Sequence, residues 1–269
     1  MSKKLPPAKT IPGLVYTHLA TERVVGEQFI AEHGICYIVS GNLKVVDGGE
    51  TRVFNPGDIL FYRKNFLSKF TKQPEEKLEF RSVTVVFDRE SLTTFAEQYG
   101  MVYEEPFPKD NAVLKLKNDV LLENYFKTLV PYFDAALPEH LINLKRQEAL
   151  MILLQINPAL KNILFQFDMP DKIDLEAFME QHFRFNVEMK RFAWLSGRSL
   201  ATFKRDFEKV YHTTPGRWLQ QRRLEEANYL IREKSRRPSD VYQEVGFESL
   251  SHFSYAFKQQ YGVTPSGIQ

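Results

Sequence analysis

Along roughly the first ninety residues, apolar positions alternate with polar ones or fall in short blocks; beyond them they return every three or four residues. Ile35–Val39, Leu43–Val46, Ile59–Tyr62 and Val83–Phe87 are rich in β-branched and aromatic residues and predict strands. Ser40-Gly41-Asn42, Asp47-Gly48-Gly49 and Asn55-Pro56-Gly57-Asp58 carry the residues that turns need and separate them. Short strands at close, even spacing predict a small barrel or sandwich from 14 to about 90. From about 91 the period becomes helical. Leu121, Leu122, Tyr125, Phe126, Leu129 and Val130 form one row, and Leu144, Ala149, Ile152, Leu153 and Ile156 a second, giving two helices joined near Pro138. Asn157-Pro158 and Asp168-Met169-Pro170-Asp171 are breaks, and the second predicts a domain boundary near 166–172.

Beyond that boundary the whole pattern is helical. Asp174 can cap a helix through about Phe183, with Leu175, Phe178 and Met179 facing inward. Glu188–Leu195 forms a second helix, and Ser199 caps a third through about Val210. Pro215, tolerated in a first helical turn, opens a long helix with the apolar stripe Leu219, Leu224, Ala227, Leu230 and Ile231. Pro238-Ser239-Asp240 breaks and recaps the chain, and Asp240–Val245 and Ser249–Gln260 follow as helices.

This C-terminal stretch contains one pattern twice, at an offset of 50. Leu195, Ser199, Leu200, Phe203, Phe207, Tyr211, Thr214 and Pro215 are answered by Val245, Ser249, Leu250, Phe253, Phe257, Tyr261, Thr264 and Pro265. In each copy a short helix meets a tight connection holding a glycine, Gly197 or Gly246, and a second helix starts at a serine. That is the signature of a helix-turn-helix. The phenylalanines sit i, i+4 apart, so one face of each second helix is buried. The opposite face carries Ala201, Lys204, Arg205 and Glu208 in the first copy and Ser251, His252, Tyr255 and Lys258 in the second. Such a helix fits the major groove of B-DNA, where Lys204 and Arg205 can meet guanine acceptors or phosphates. Two units held by the long helix predict a footprint on two successive grooves, about 34 Å apart.

Composition and charge narrow the class. The 269 residues suffice for two domains, and a hydrophobic fraction of 43% with 26% charged residues is that of a globular protein. No run reaches the roughly 18 apolar residues needed to cross a bilayer. MSKKLPPAKTIPG lacks the apolar core of a signal peptide, and the single cysteine, Cys36, rules out an internal disulfide, so a cytoplasmic protein is expected. The net charge is only +2, but its distribution is uneven. Residues 172–269 hold 16 Lys+Arg against 12 Asp+Glu, and residues 1–171 hold 20 against 22.

At these residues the chain resembles a known family. LSGRSLATFKRDFEKVYHTTPGRWLQQRRLEEANYLI and VYQEVGFESLSHFSYAFKQQYGVTPS are similar to the DNA-binding domain of AraC/XylS-type transcription regulators. The match runs over nearly all of 172–269, departing at the end, where Ile268-Gln269 stands in place of the family's usual Tyr-Arg pair. The resemblance places Ala201, Lys204 and Arg205, then Leu250, Ser251, His252 and Tyr255, in adjacent major grooves, and Arg198 in the first turn is counted with them. YIVSGNLKVVDGGETRVFNPGDILFY, with its Gly57-Asp58 turn, resembles the cupin-like regulatory domains of the same family. The helical stretch 119–165 is more like the activators of type III secretion than the sugar-responsive members.

The expectation is therefore an α+β chain of two domains. Residues 1–165 form a regulatory and dimerisation domain, a cupin-like β-barrel to about 90 followed by helices over 91–165. Residues 166–172 are a linker, and 173–269 an all-α DNA-binding domain of two helix-turn-helix units. The expected partners are double-stranded DNA, a second copy of the chain, RNA polymerase, as for an activator, and a small effector or regulatory protein; no membrane is expected. Cofactors and metals are not implied: His18 and His33 form no H-x-H pair, and Asp47-Gly48-Gly49 reads as a hairpin turn, not a phosphate loop. Cys36 reads as a small buried hydrophobe. Arg236-Arg237 can meet a phosphate or lie solvated. Two other classes stay open: an enzyme built on the cupin-like barrel, and a nucleic-acid-binding protein without sequence preference.

Overall fold

A computed structural model describes residues 8–19, 24–47, 50–75, 79–105, 111–134, 138–167 and 172–268. Its residues fall into two compact units, one within Leu5–Asp168 and one within Met169–Gln269. The turn signals Gly48-Gly49 and Asp168–Asp171 and the terminal Gln269 lie outside the described residues.

The first unit is built on ten strands among the described residues. They are β1 (Ala8–Ile11), β2 (Leu14–Leu19), β3 (Val24–Ile30), β4 (His33–Ser40), β5 (Asn42–Asp47), β6 (Glu50–Phe54), β7 (Ile59–Tyr62), β8 (Phe66–Gln73), β9 (Phe80–Phe87) and β10 (Val113–Lys115). They pair antiparallel into two sheets. One has six strands in the order β1-β2-β9-β4-β7-β10; the other has four, β3-β8-β5-β6. The sheets do not close into the expected barrel, since among the described residues no ladder joins an edge of one to an edge of the other. Cys36, Ile38, Leu60, Phe80 and Val113 of the six-stranded sheet share one core with Leu43, Val45, Phe54 and Phe70 of the other, a sandwich in which Cys36 is buried.

The six-stranded sheet has helices against its other face. Ile35, Ile59, Phe61, Val83, Val85 and Phe87 form one core with Leu92, Phe95, Leu122, Phe126, Leu150 and Leu153. The last six come from α1 (Arg89–Tyr99), α2 (Val120–Leu129) and α3 (Glu139–Ile156); two 3-10 turns (Val130–Asp134 and Pro158–Leu160) and the short α4 (Lys161–Leu164) complete the layer. Burial on both faces explains why Ile35–Val39, Ile59–Tyr62 and Val83–Phe87, the central parts of β4, β7 and β9, are apolar almost throughout. The region past 90 is not purely helical. Val113–Lys115 returns to the six-stranded sheet, with Leu114 opposite Phe61, and three residues are too few to show an alternation. In α2 and α3 the predicted rows divide. Leu122, Tyr125, Phe126, Leu129, Ala149 and Leu153 are buried, whereas Leu121, Val130 and Leu144 are exposed.

The second unit contains α5 (Leu175–His182), α6 (Met189–Leu195), α7 (Leu200–Tyr211), α8 (Pro215–Arg232), α9 (Pro238–Glu244) and α10 (Leu250–Tyr261). Asp174 caps α5 by accepting from the Ala177 amide, as predicted. The break expected at Pro238 is instead the first residue of α9, with Arg237 as its cap, because proline's fixed φ suits a first helical position. Leu224, Ala227 and Ile231 of α8 share a core with Val241, Val245, Phe253 and Phe257, while Phe207 and Tyr211 of α7 pack on Trp218 of α8.

Candidate nucleic-acid interface

Both turns are built by the same backbone bonds. After α6 the amides of Ser196, Gly197 and Arg198 donate to the carbonyls of Phe192, Trp194 and Ala193. After α9 those of Val245, Gly246 and Phe247 donate to Val241, Gln243 and Tyr242. This closure needs a left-handed residue after the cap, and Gly197 (φ 70°) and Gly246 (φ 94°) provide it. The matched bonds correct the repeat's register. Ser196 corresponds to Val245, Gly197 to Gly246 and Arg198 to Phe247, an offset of 49, so Leu195 is answered by Glu244 and not by Val245. Glu248 is an extra residue, and the offset of 50 applies only from Ser199 and Ser249 onward.

Each second helix then starts alike. The Ser199 hydroxyl accepts from the Thr202 amide and Ser249's from the His252 amide. Phe203 and Phe207 are fully buried with ring centroids 5.6 Å apart, and Phe253 and Phe257 repeat that burial and that distance. Anchoring one face of α7 and α10 leaves the opposite face outward. The exposed residues there include Ala201, Lys204 and Arg205 on α7, and Leu250, Ser251, His252 and Tyr255 on α10. Tyr255 is 67% exposed, far more than a packed aromatic would be. The two faces differ in kind, one cationic, the other aromatic and apolar.

Arg198 stands apart from the other seven candidates. Its side chain is only 11% exposed. Its guanidinium donates to the carbonyls of Ser196 (2.6 Å) and Ile173 (3.0 Å) and to Asp206 (3.1 Å). Burial of Asp206 pushes its carboxyl upward, but the Arg198 hydrogen bond and the nearby Arg205 and Lys172 charges prevail and hold it below the usual carboxylate range. Arg198 thus fastens the first turn, whereas Phe247, at the matching place, fastens the second by packing on Phe253. The position alone could not distinguish a basic residue aimed outward from one folded back on carbonyls. Arg236 is paired with Glu244 at 2.9 Å, and Arg237 is exposed.

In the sheets of the first unit, His18 and His33 are apart in role. His18 meets Glu79 at 2.5 Å near the surface. His33 is buried against the Phe61 ring and accepts from the Lys64 amide; burial, aided by the Lys64 charge, pushes its pKa down to about 3, so it is neutral. Among the described residues no three His, Cys, Asp or Glu side chains cluster as a metal site would need, and no helix is long and apolar enough to cross a membrane.

Comparison with known proteins adds to this geometry. Residues 33–163 match the model of the ExsA N-terminal regulatory domain, and residues 193–269 that of a helix-turn-helix domain. The chain is 28% identical over 243 residues to the HTH-type transcriptional regulator ExsA of Pseudomonas aeruginosa, covering 87% of this chain and 85% of ExsA. It is 26% identical over 250 residues to the thermoregulatory protein LcrF of Yersinia pestis, covering 88% and 90%. Its similarity to the HTH-type transcriptional activator RhaS of Escherichia coli is 30% over 95 residues, 35% of this chain and 34% of RhaS.

Proposed function

The chain belongs to the AraC/XylS family of transcription regulators, its N-terminal half resembling that of ExsA, and from that premise we propose that it activates transcription by laying α7 and α10 in two adjacent major grooves. The observation that carries this is the duplicated construction: two helices presented by the same turn, each anchored by a buried phenylalanine pair, each exposing its far face. Lys204 and Arg205 read guanine edges or hold phosphates, and Tyr255 with Leu250 supplies apolar contact of the sort that recognises thymine methyls. Ser251 and His252 complete the second face, and Ala201 permits close approach in the first. Arg198 acts through the turn. Residues 173–269 are the DNA-binding domain, 166–172 the linker and 1–165 the regulatory part. The setting is the cytoplasm and the further partner RNA polymerase.

The regulatory part also supports pairing with a second copy. Leu144 and Met151, i and i+7 on α3, and Val120 and Leu121 on α2 are exposed apolar residues on a helical layer. An effector or partner protein acts on this same unit. Selection from a random duplex pool followed by competition gel shifts tests the reading. The selected duplex should be preferred to random DNA by about a thousandfold or more, as for specific regulators; equal competition by random DNA would overturn it.

A further inference from the structure

Arg223, in the middle of α8, ends three of its N–H donors on three backbone carbonyls. Nε donates to Phe183 at 2.7 Å, Nη2 to Phe185 at 2.8 Å and Nη1 to Gly246 at 3.0 Å. Phe183 and Phe185 lie in the segment between α5 and α6, and α5 packs on the first helix-turn-helix through Phe178 against Phe192 of α6, with the Ile173 amide before it donating to Ser196 in the turn. Gly246 is the left-handed residue in the turn of the second. One guanidinium therefore ties the backbone that leads from α5 into α6 of the first reading unit to the backbone of the second unit's turn. Its planar fork holds all three bonds in a fixed relation, which the single ammonium of a lysine could not do.

A second observation marks the same joint. A Cβ at Gly246 would lie 2.5 Å from the Arg184 carbonyl oxygen and 3.0 Å from Arg223 Nε. The second turn thus approaches the segment after α5 backbone-first, at a distance only glycine allows. Neighbouring residues of α8 hold the same contact. Arg222 pairs with Glu180 of α5 at 3.1 Å, and Glu226 with Arg184 at 2.5 Å.

We propose that Arg223 is a positioning residue that sets the distance and rotation between α7 and α10, and so the spacing of the two half-sites the chain accepts. This rests on the two-groove reading above. Rigid linkage makes binding of the second helix intramolecular once the first is seated, and a loosened joint loses that advantage without removing any contact to DNA.

The test uses the full chain and a duplex that the wild type selects from a random pool. Three probes derive from it: intact, with one half scrambled, and with one or two base pairs inserted between the halves. For Arg223→Gln, affinity for the intact duplex should fall about tenfold or more, the scale on which linkage acts. Half-site affinity should stay within about twofold of wild type, because each reading face is untouched. The penalty for inserted base pairs, large in the wild type, should shrink towards nothing. Arg223→Lys, which keeps the charge, should resemble Arg223→Gln in spacing tolerance. The proposal is overturned if Arg223→Gln keeps the wild-type insertion penalty, or if half-site and intact affinity fall in step, since the arginine then serves only the fold. If Arg223→Gln shows no cooperative unfolding, Arg223→Lys is read in the same way, and failure of both to fold also overturns it. A wild-type chain indifferent to scrambling and insertion would instead sink the two-groove reading itself.

Discussion

Arg146, buried in α3, reaches Asp88 with Nη2 at 2.7 Å from Oδ2, while the other carboxylate oxygen accepts from the Ser91 amide and caps α1. One aspartate thereby closes the end of β9, starts α1 and fastens α3. The hairpin between β1 and β2 lies on the same guanidinium: Gly13 has φ 82°, and a Cβ there would lie 2.1 Å from Arg146 Nε. Asp88→Ala should cost about 2 kcal/mol, a lost helix cap plus a buried arginine left short of its partner. Gly13→Ala should cost about 1–3 kcal/mol by overpacking and strain. In an Arg146→Met background most of the clash term should vanish. A urea-unfolding cycle checks this, and simple additivity of Gly13→Ala with Arg146→Met would show that the guanidinium is not the obstacle.

Acid should weaken the first unit in two stages. His33 binds a proton in the unfolded chain below about pH 6.5 but in the folded chain only near pH 3, so the stability it confers is complete above 6.5 and declines as pH falls towards 3. The slope approaches about 1.4 kcal/mol per pH unit. For Asp88, burial raises the carboxyl, but the Ser91 bonds and the Arg146 charge prevail and lower it. Its contribution is present above the unfolded value of about 3.9 and is lost below that, as pH falls through the folded value. Unfolding free energies of wild type and His33→Gln should differ in slope between pH 6.5 and 4; parallel curves would contradict the buried neutral imidazole.

On the outward faces of α7 and α10 proposed to read DNA, Lys204→Ala and Arg205→Ala should each weaken binding to a selected duplex by about 1–3 kcal/mol where a base contact is lost, and Tyr255→Ala should relax preference at one position of the other half-site. Affinity measured against every single-base variant of the duplex separates the effects. If Lys204 and Arg205 instead weaken all sequences uniformly and reduce the salt dependence, they hold phosphates and read no base.

Arg198→Ala is expected to behave differently. Its bonds go to Ser196, Ile173 and Asp206, so the loss should appear as about 1–3 kcal/mol of folding stability. The ranking of single-base variants should be that of the wild type. A changed ranking without a change in the thermal transition would make it a direct DNA contact after all.

Leu144→Glu with Met151→Glu should shift the chain towards monomer in sedimentation equilibrium with little loss of stability, since both side chains are exposed. A monomeric wild type, or an unchanged dimer in the double variant, would move the proposed interface elsewhere.

What was legible in the sequence is what local chemistry decides. The phenylalanines at i, i+4, the capping serines and the two glycines specify α6 to α7 and α9 to α10 without reference to the rest of the chain, and Asp174 and Pro215 mark the starts of α5 and α8. The apolar blocks of β4, β7 and β9 likewise announced strands. The less apolar β8, with Ser68, Lys69, Thr71 and Lys72, and the three residues of β10 did not, because their place is conferred by pairing with β3, β5 and β7.

Local sequence chemistry specifies two helix-turn-helices, which face of each second helix is free, and how the free faces differ. Contacts in the folded chain alone reveal that Glu248 is an inserted residue, that Arg198 turns inward, that no ladder joins the two sheets among the described residues, and that Arg223 bridges the segment after α5 and the turn before α10. Each of these depends on backbone carbonyls or edges brought together from distant parts of the chain. A carbonyl is the same at every residue, so the sequence carries no mark of which ones a guanidinium will find.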